Sequence, residues 1–311
     1  MNKPLISVIV CTHNRANLLK QCLKTLVDQT LISELYEVLI IDNNSSDNTR
    51  EVVNKFTKEH SHFIYLMETK QGLSHARNRG FQAAKAGYVA YTDDDCKIPK
   101  HWLSIAKDII DNVNPAVFGG PALPFYNTPK PFWFKDSYGS DAQWGDDPRP
   151  LKKRFVHGMN IFFRKSILHN LNGFNPNMGM IGKTLAYGEE SELIQSIRTT
   201  WPNEIIYYHP DLYVYHLVRS EKMSVVRFAR ERFYKGKYLY YVFDNNPGTS
   251  RGRVLQQVIS MILSFSRDVI IQGLLKRDRK TYPYLQNYLY EIAIDHYLFH
   301  LGRLYEKFRQ T

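Results

Sequence analysis

Four short apolar runs, each ending in polar residues, constrain this chain more than any other feature. Ile6 to Val10 leads into Thr12-His13-Asn14-Arg15 and then into a helical repeat through Leu18, Leu19, Cys22, Leu23 and Leu26. Glu37 to Ile41 ends at Asp42, passes a polar turn from Asn43 to Asn48 and predicts a helix from Thr49. Phe63 to Met67 precedes a helix from Ser74, and Tyr88 to Thr92 runs into Asp93. Short β-branched runs read as strands, and apolar residues three and four apart read as helix faces. Their alternation predicts an α/β fold with a mostly parallel sheet, right-handed crossovers and helices on both faces. Ligands bind such sheets beyond the carboxyl ends of the strands. Thr12, Asp42 and Asp93 all fall on that rim.

The second half departs from this rhythm. Pro121 to Pro150, with Pro129, Pro131, Trp133 and Trp144, reads as a long excursion from the scaffold. A strand is expected at Met159 to Phe163, then a Gly-rich stretch from Gly173 to Gly188, a helix from Glu189 to Thr200, and β-type runs at Ile205 to Tyr208 and Leu212 to Leu217. From Ser224 the pattern is helical, with Leu285, Leu289, Ile292 and Phe299 recurring on one face of the last helix. This gives a catalytic domain over 1–222, divided into halves 1–120 and 121–222, and a basic, aromatic-rich helical region over 223–311.

The excess of 41 Lys and Arg over 30 Asp and Glu raises the possibility of a nucleic-acid partner until its position is considered. From Arg219 onward there are 17 basic residues against 8 acidic, and before it 24 against 22. The front domain is nearly neutral and carries no nucleic-acid recognition motif, so no nucleic-acid partner is expected. Cys11, Cys22 and Cys96 have neither metal-finger spacing nor an even count, which predicts buried thiols in a reducing, cytoplasmic compartment. No signal peptide is recognised. The most apolar window, Val254 to Phe265, stops at Ser266-Arg267-Asp268, short of the roughly 20 residues a spanning helix needs, so no membrane span is expected.

Three consecutive carboxylates, Asp93-Asp94-Asp95, follow an apolar strand and repel one another unless a cation or solvent neutralises them. Hard divalent ions such as Mg and Mn take carboxylate oxygens together with substrate phosphates, and Asp93 and Asp95 can face the same side. The same triplet also suits a solvated helix-capping loop. Asp42 sits where Rossmann-like proteins place an acceptor for a nucleoside, yet Asp-Asn-Asn-Ser-Ser-Asp also makes an ordinary turn. Glu189 and Glu190 open a helix, either as a simple cap or as a carboxylate that takes a proton from a hydroxyl. His216, in an apolar run, reads by default as a hydrogen-bonded core residue.

Together these stations resemble the family-two inverting glycosyltransferases of the GT-A fold. The resemblance runs through Ser7 to Arg15, Ile41 to Thr49, Gly72 to Gly80, Thr92 to Asp95, Gly158-Met159-Asn160, Gly173-Phe174, Gly188 to Leu193 and His216. It implies a metal-assisted hexosyltransferase that takes a nucleotide-sugar donor, typically a uridine nucleotide, and a saccharide or lipid-linked saccharide acceptor. It further implies that Thr12, Asn14, Arg15 and Asp42 line the nucleotide pocket and that Arg77 and Asn78 border the nucleoside or phosphates. Asp94 would reach the ribose or donor sugar, Asp93 and Asp95 would hold the metal, and His216 would complete its shell. Glu190 inherits the role of general base, although glutamate replaces the family's usual aspartate and Glu189 is a possible substitute. A catalytically idle protein that binds nucleotide sugars or glycans on the same fold is the alternative.

Trp133 and Trp144 are candidates either to stack on sugar rings or to pin the excursion to the core. The basic tail is open to three readings: solvated helix faces, a homodimer contact, or peripheral attachment to the inner face of an anionic membrane.

Overall fold

The computed structural model describes residues 3–180, 187–243 and 250–310. The part of the expected Gly-rich stretch at 181–186 lies outside the described residues. In chain order the strands are β1 (Ile6–Thr12), β2 (Tyr36–Asp42), β3 (Phe63–Met67), β4 (Tyr88–Asp93), β5 (Cys96–Lys97), β6 (Val117–Gly119), β7 (Ala122–Phe125), β8 (Arg149–Pro150), β9 (Ile161–Arg164), β10 (Ile206–Tyr208) and β11 (Val214–Leu217). The helices are α1 (Ala16–Val27), α2 (Thr49–Glu59), α3 (Leu73–Ala83), α4 (Trp102–Val113), α5 (Asp136–Gly139), α6 (Lys165–Asn170), α7 (Glu189–Thr200), α8 (Val225–Phe243), α9 (Arg251–Arg267), α10 (Leu285–Tyr288) and α11 (Asp295–Gln310).

The chain forms two compact units. The first comprises Met1–Phe125, Gly139–Gly182 and Glu189–Leu217. Its main sheet has the order β3-β2-β1-β4-β9-β6-β10-β8. β1, β2, β3 and β4 are mutually parallel, β9 runs antiparallel to β4 and β6, and β10 is parallel to β6. The sheet is thus mostly parallel, and its first four strands and the helices after them follow the expected alternation.

Side chains alternate between two cores. Val8, Val10, Val38 and Ile40 join Leu19, Leu23, Trp102 and Phe162 on one face. Ile9, Leu39, Ile41 and Tyr91 join Ala76, Phe163, Phe174 and Ile194 on the other. Strands buried on both faces read as continuous apolar runs rather than alternating ones, which is why β1, β2 and β4 stand out in the sequence. A small sheet of order β5-β11-β7 sets β11 antiparallel to β5, with His216 opposite Cys96.

The second unit comprises Tyr126–Tyr138, Lys183–Gly188 and Val218–Thr311. Trp133 and Phe134 pack with Val218, Met223, Tyr138 and Tyr290, so this stretch of the excursion shares a core with the C-terminal helices. Two expectations are corrected here. The face expected from Leu285, Leu289, Ile292 and Phe299 is not the buried one: Ile292 is 38% exposed, and Asn287, Tyr288, Ala293, Ile294, Tyr297 and Gly302 turn inward. A π-helical segment at Leu289–Ile294 has more residues per turn than an α-helix and shifts the phase of the face. The apolar helix also does not stop at Asp268. It continues as a π-helix through Asp268–Leu275, and Arg251–Leu275, 25 residues with a mean hydropathy of 1.6 over its apolar window, is long and apolar enough to cross a membrane by length and composition.

Candidate functional site

The carboxyl ends of β1, β2 and β4 bring the three polar stations together. β4 ends at Asp93, and only Asp94 and Asp95 separate it from β5, so the acidic triplet forms a tight link between a strand of the main sheet and a strand of the small one. Arg15 Nη1 lies 2.9 Å from Asp94 and 3.7 Å from Asp95. Asp94 is buried and spends both oxygens within the protein, accepting from Thr12 Oγ1 at 2.7 Å and from Arg15 Nη1 at 2.9 Å. Burial raises its carboxyl to about 6, opposed by Arg15 and reinforced by Asp95.

Asp93 and Asp95 gather with His216, and one ligand atom from each lies within 4.8 Å of the others. The pairing of β11 with β5 delivers His216 there: its Nε2 is 3.3 Å from Asp95 Oδ1, and the Leu217 amide donates to the Asp95 carbonyl. Two carboxylates and an imidazole are a donor set that suits Mn or Mg together with phosphate oxygens. The residues present therefore fit a divalent cation.

Asp42 accepts from the Ser45 amide at 2.8 Å and from Tyr65 Oη at 2.9 Å, so it braces the loop after β2. Burial, followed by this bond, pushes the Tyr65 phenol up to about 12. Asn14, with φ of 54°, accepts from the Ser46 amide at 2.7 Å and ties the loops after β1 and β2 to each other. Thr12, Asn14, Arg15 and Asp42 thus build one rim, held by bonds among its own loops.

Arg77 and Asn78 face elsewhere. Asn78 clasps Phe174, donating to its carbonyl and accepting from its amide, each at 2.7 Å. Arg77 is buried and donates to Glu189 Oε1 at 2.8 Å, with Glu190 Oε2 at 4.0 Å. Gly158 permits this pose, since a Cβ there would collide with the guanidinium. Burial alone would lower the Arg77 pKa, but Glu189, Glu190 and then Asp93 outweigh it and drive it up. One buried cation therefore lies in the field of both the glutamate pair and the acidic triplet.

The two glutamates titrate as a pair. Burial, then Glu190, pushes Glu189 up to about 8. Burial also opposes the charge on Glu190, but Arg77 and then His157 outweigh it and hold this carboxyl below its ordinary range. The two shifts run in opposite directions, and the local field favours charge on Glu190 over Glu189. His157 is the residue that sequence reasoning missed. It sits 3.3 Å from Asp141, and its neighbour Gly158 directs an amide at Glu190 Oε1 at 3.4 Å. Its position just before Gly158-Met159-Asn160 was the available signal.

The excursion tryptophans are engaged in packing. Trp133 is buried in the aromatic cluster of the second unit, and Trp144 donates to the Phe155 carbonyl at 2.7 Å under the Arg154 guanidinium.

A mostly parallel sheet with an acidic turn after its fourth strand and a carboxylate-rich rim defines the GT-A class of glycosyltransferase architecture. Residues 7–171, more than half of the chain, match the family described as Glycosyl transferase family 2, and the chain belongs to that family. It is 28% identical over 175 residues to Glycosyltransferase AglE of Haloferax volcanii, covering 56% of this chain and 57% of that protein. It is 27% identical over 229 residues to the GalNAc(5)-diNAcBac-PP-undecaprenol beta-1,3-glucosyltransferase of Campylobacter jejuni, covering 71% of this chain and 68% of that one. The chain thus spans little more than half the length of the first of these relatives. Among solved structures, the mannosyltransferase PcManGT from Pyrobaculum calidifontis in complex with GDP-Man and Mn2+ superposes with a TM-score of 0.57 at 18% identity, over 99% of this chain and 74% of that one. S. aureus TarS in complex with UDP-GlcNAc gives 0.58 at 18% identity, over 98% and 92%.

Proposed function

We propose that this chain is an inverting glycosyltransferase that moves a sugar from a uridine diphosphate sugar to a hydroxyl of a lipid-linked saccharide. One observation carries the reading: Asp93 at the end of β4, Asp95 in the link after it and His216 on β11 converge with their ligand atoms within 4.8 Å. A structural neighbour with this fold holds Mn2+ and GDP-Man, another holds UDP-GlcNAc, and a relative's name places its acceptor on an undecaprenol pyrophosphate. These support the donor class, the metal and the acceptor class.

In this reading Asp93, Asp95 and His216 hold a divalent cation whose charge, when it is bound, offsets the charge that develops on the leaving diphosphate. The rim of Thr12, Asn14, Arg15 and Asp42 receives the nucleotide. Asp94, anchored by Thr12 and Arg15, fixes the guanidinium of Arg15 at that rim. Glu190, kept ionised by Arg77 and His157, accepts the proton of the acceptor hydroxyl as its oxygen attacks the anomeric carbon. The bond from that carbon to the diphosphate oxygen breaks on the opposite face, and the configuration inverts in one displacement. Glu189, bonded to Arg77 at 2.8 Å, positions that guanidinium, and the glutamate at 190 extends about one methylene further than the family's usual aspartate.

Incubation with a panel of nucleotide sugars, Mn and polyprenyl-linked acceptors tests this. Nucleoside diphosphate release that disappears in Asp95→Ala and in Glu190→Gln is expected. Donor binding without turnover under every donor and acceptor would instead establish a binding protein.

A further inference from the structure

We infer that the helix Arg251–Leu275 lies in the plane of an anionic lipid surface, with one face in the bilayer and the other on its own helical unit. This deepens the reading of a lipid-linked acceptor and rests on it for its purpose, though not for its geometry. The outer face carries Leu255, Ile259, Ile262, Leu263, Ile270 and Leu274, each between 48 and 65% exposed. Leu255, Ile259, Ile262 and Leu263 follow one another at the spacing of one helix face, and Ile270 and Leu274 extend the apolar surface into the π-helical segment. An exposed stripe of this length is unusual on a protein surface facing only water.

The opposite face is already occupied. Val254 and Gly273 are buried, Phe265 packs edge-on against Tyr297 at 5.6 Å, and Tyr297 Oη donates to Asp268 at 2.5 Å. The Arg251 guanidinium lies 5.7 Å from the Phe308 ring centre. A helix committed on one side to polar partners on α11 cannot be surrounded by hydrocarbon. Arg267 and Asp268 argue likewise, since they fall inside the apolar length and would sit deep in the core of a spanning helix. Lying in plane, Arg267 can extend its charge to the headgroups.

Charge identifies the occupant. Residues 251–280 hold seven Lys and Arg against two Asp, with Arg251 and Arg253 at one end and Lys276, Arg277, Arg279 and Lys280 at the other. With the helix in plane, the cations at both of its ends lie in one headgroup layer, beside the acyl chains that its apolar stripe enters. The same cations would face one another across a twofold pairing of this helix, so a second copy fits less well.

Flotation of the full chain with lipid vesicles reads this without any sugar transfer, so its failure is separable from failure of the transferase reading. Vesicles of phosphatidylcholine with about a third phosphatidylglycerol should carry the protein roughly tenfold or more better than phosphatidylcholine alone. The triple variant Leu255→Ser, Ile259→Ser, Leu263→Ser should lose at least about tenfold in partitioning while keeping its circular dichroism. Should that variant lose helix, Arg253→Glu with Lys276→Glu takes its place, and it should abolish the preference for phosphatidylglycerol. No flotation with either vesicle, flotation unchanged in both variants, or a lipid-indifferent dimer that the triple variant splits would overturn the inference.

Discussion

Arg77 holds two glutamates that would otherwise repel each other in a buried site, and their unequal environments separate their roles. Glu190, held ionised, should be the more sensitive residue: Glu190→Gln is expected to lower kcat by about 10²–10⁴-fold with donor KM little changed, measured by steady-state nucleoside diphosphate release. Glu189→Gln should cost less, because a glutamine still accepts from Arg77. Stability gives a second test. With Glu189 raised from 4.5 to about 8, the folded state binds the extra proton between those values, so this group's contribution is full below pH 4.5 and is lost as pH rises toward 8. The melting temperature of Glu189→Gln should therefore decline less over that range than that of the parent. Equal slopes would mean that Glu189 is ionised throughout.

At the scale of elements, the crossing of α8 and α11 depends on close backbone approach. A Cβ at Gly236 would fall on the Phe299 carbonyl, and one at Gly302 on the Phe233 carbonyl. Gly302→Ala should separate the helices and cost about 1–3 kcal/mol or more in chemical denaturation, against a slight gain from helix propensity alone. β1, β2 and β4 were legible because burial on both faces leaves an uninterrupted apolar run. The face of the last helix was not, because the wider turn of the π-helical segment at Leu289–Ile294 breaks the 3.6-residue period on which such a reading depends. The apolar helix was cut short for a related reason: Ser266-Arg267-Asp268 looks like a terminus until Tyr297 is seen to bond Asp268.

At the scale of the whole molecule, function was legible where the chain keeps its chemistry local and obscure where it draws partners from far away. Asp93 and Asp95 have a single residue between them and could be read as one station. His216 lies more than 120 residues from them, and only the pairing of β11 with β5 brings it there. Arg77 and Glu189 are separated by 112 positions, and only the fold shows that an arginine read as bordering phosphates bonds a glutamate at the start of α7. Asp94, read as reaching the donor, has both oxygens bonded to Thr12 and Arg15. The charge asymmetry was visible from the start, and the structure locates much of it around one exposed apolar helix. The most direct test of the central claim is a titration of Mn2+ followed by electron paramagnetic resonance, with and without UDP, on the parent chain and on Asp95→Ala. The parent is expected to take up Mn2+ and UDP together, and Asp95→Ala, with its melting temperature preserved, to take up neither tightly. UDP binding that is indifferent to chelator, or Mn2+ uptake unchanged in Asp95→Ala, would contradict it.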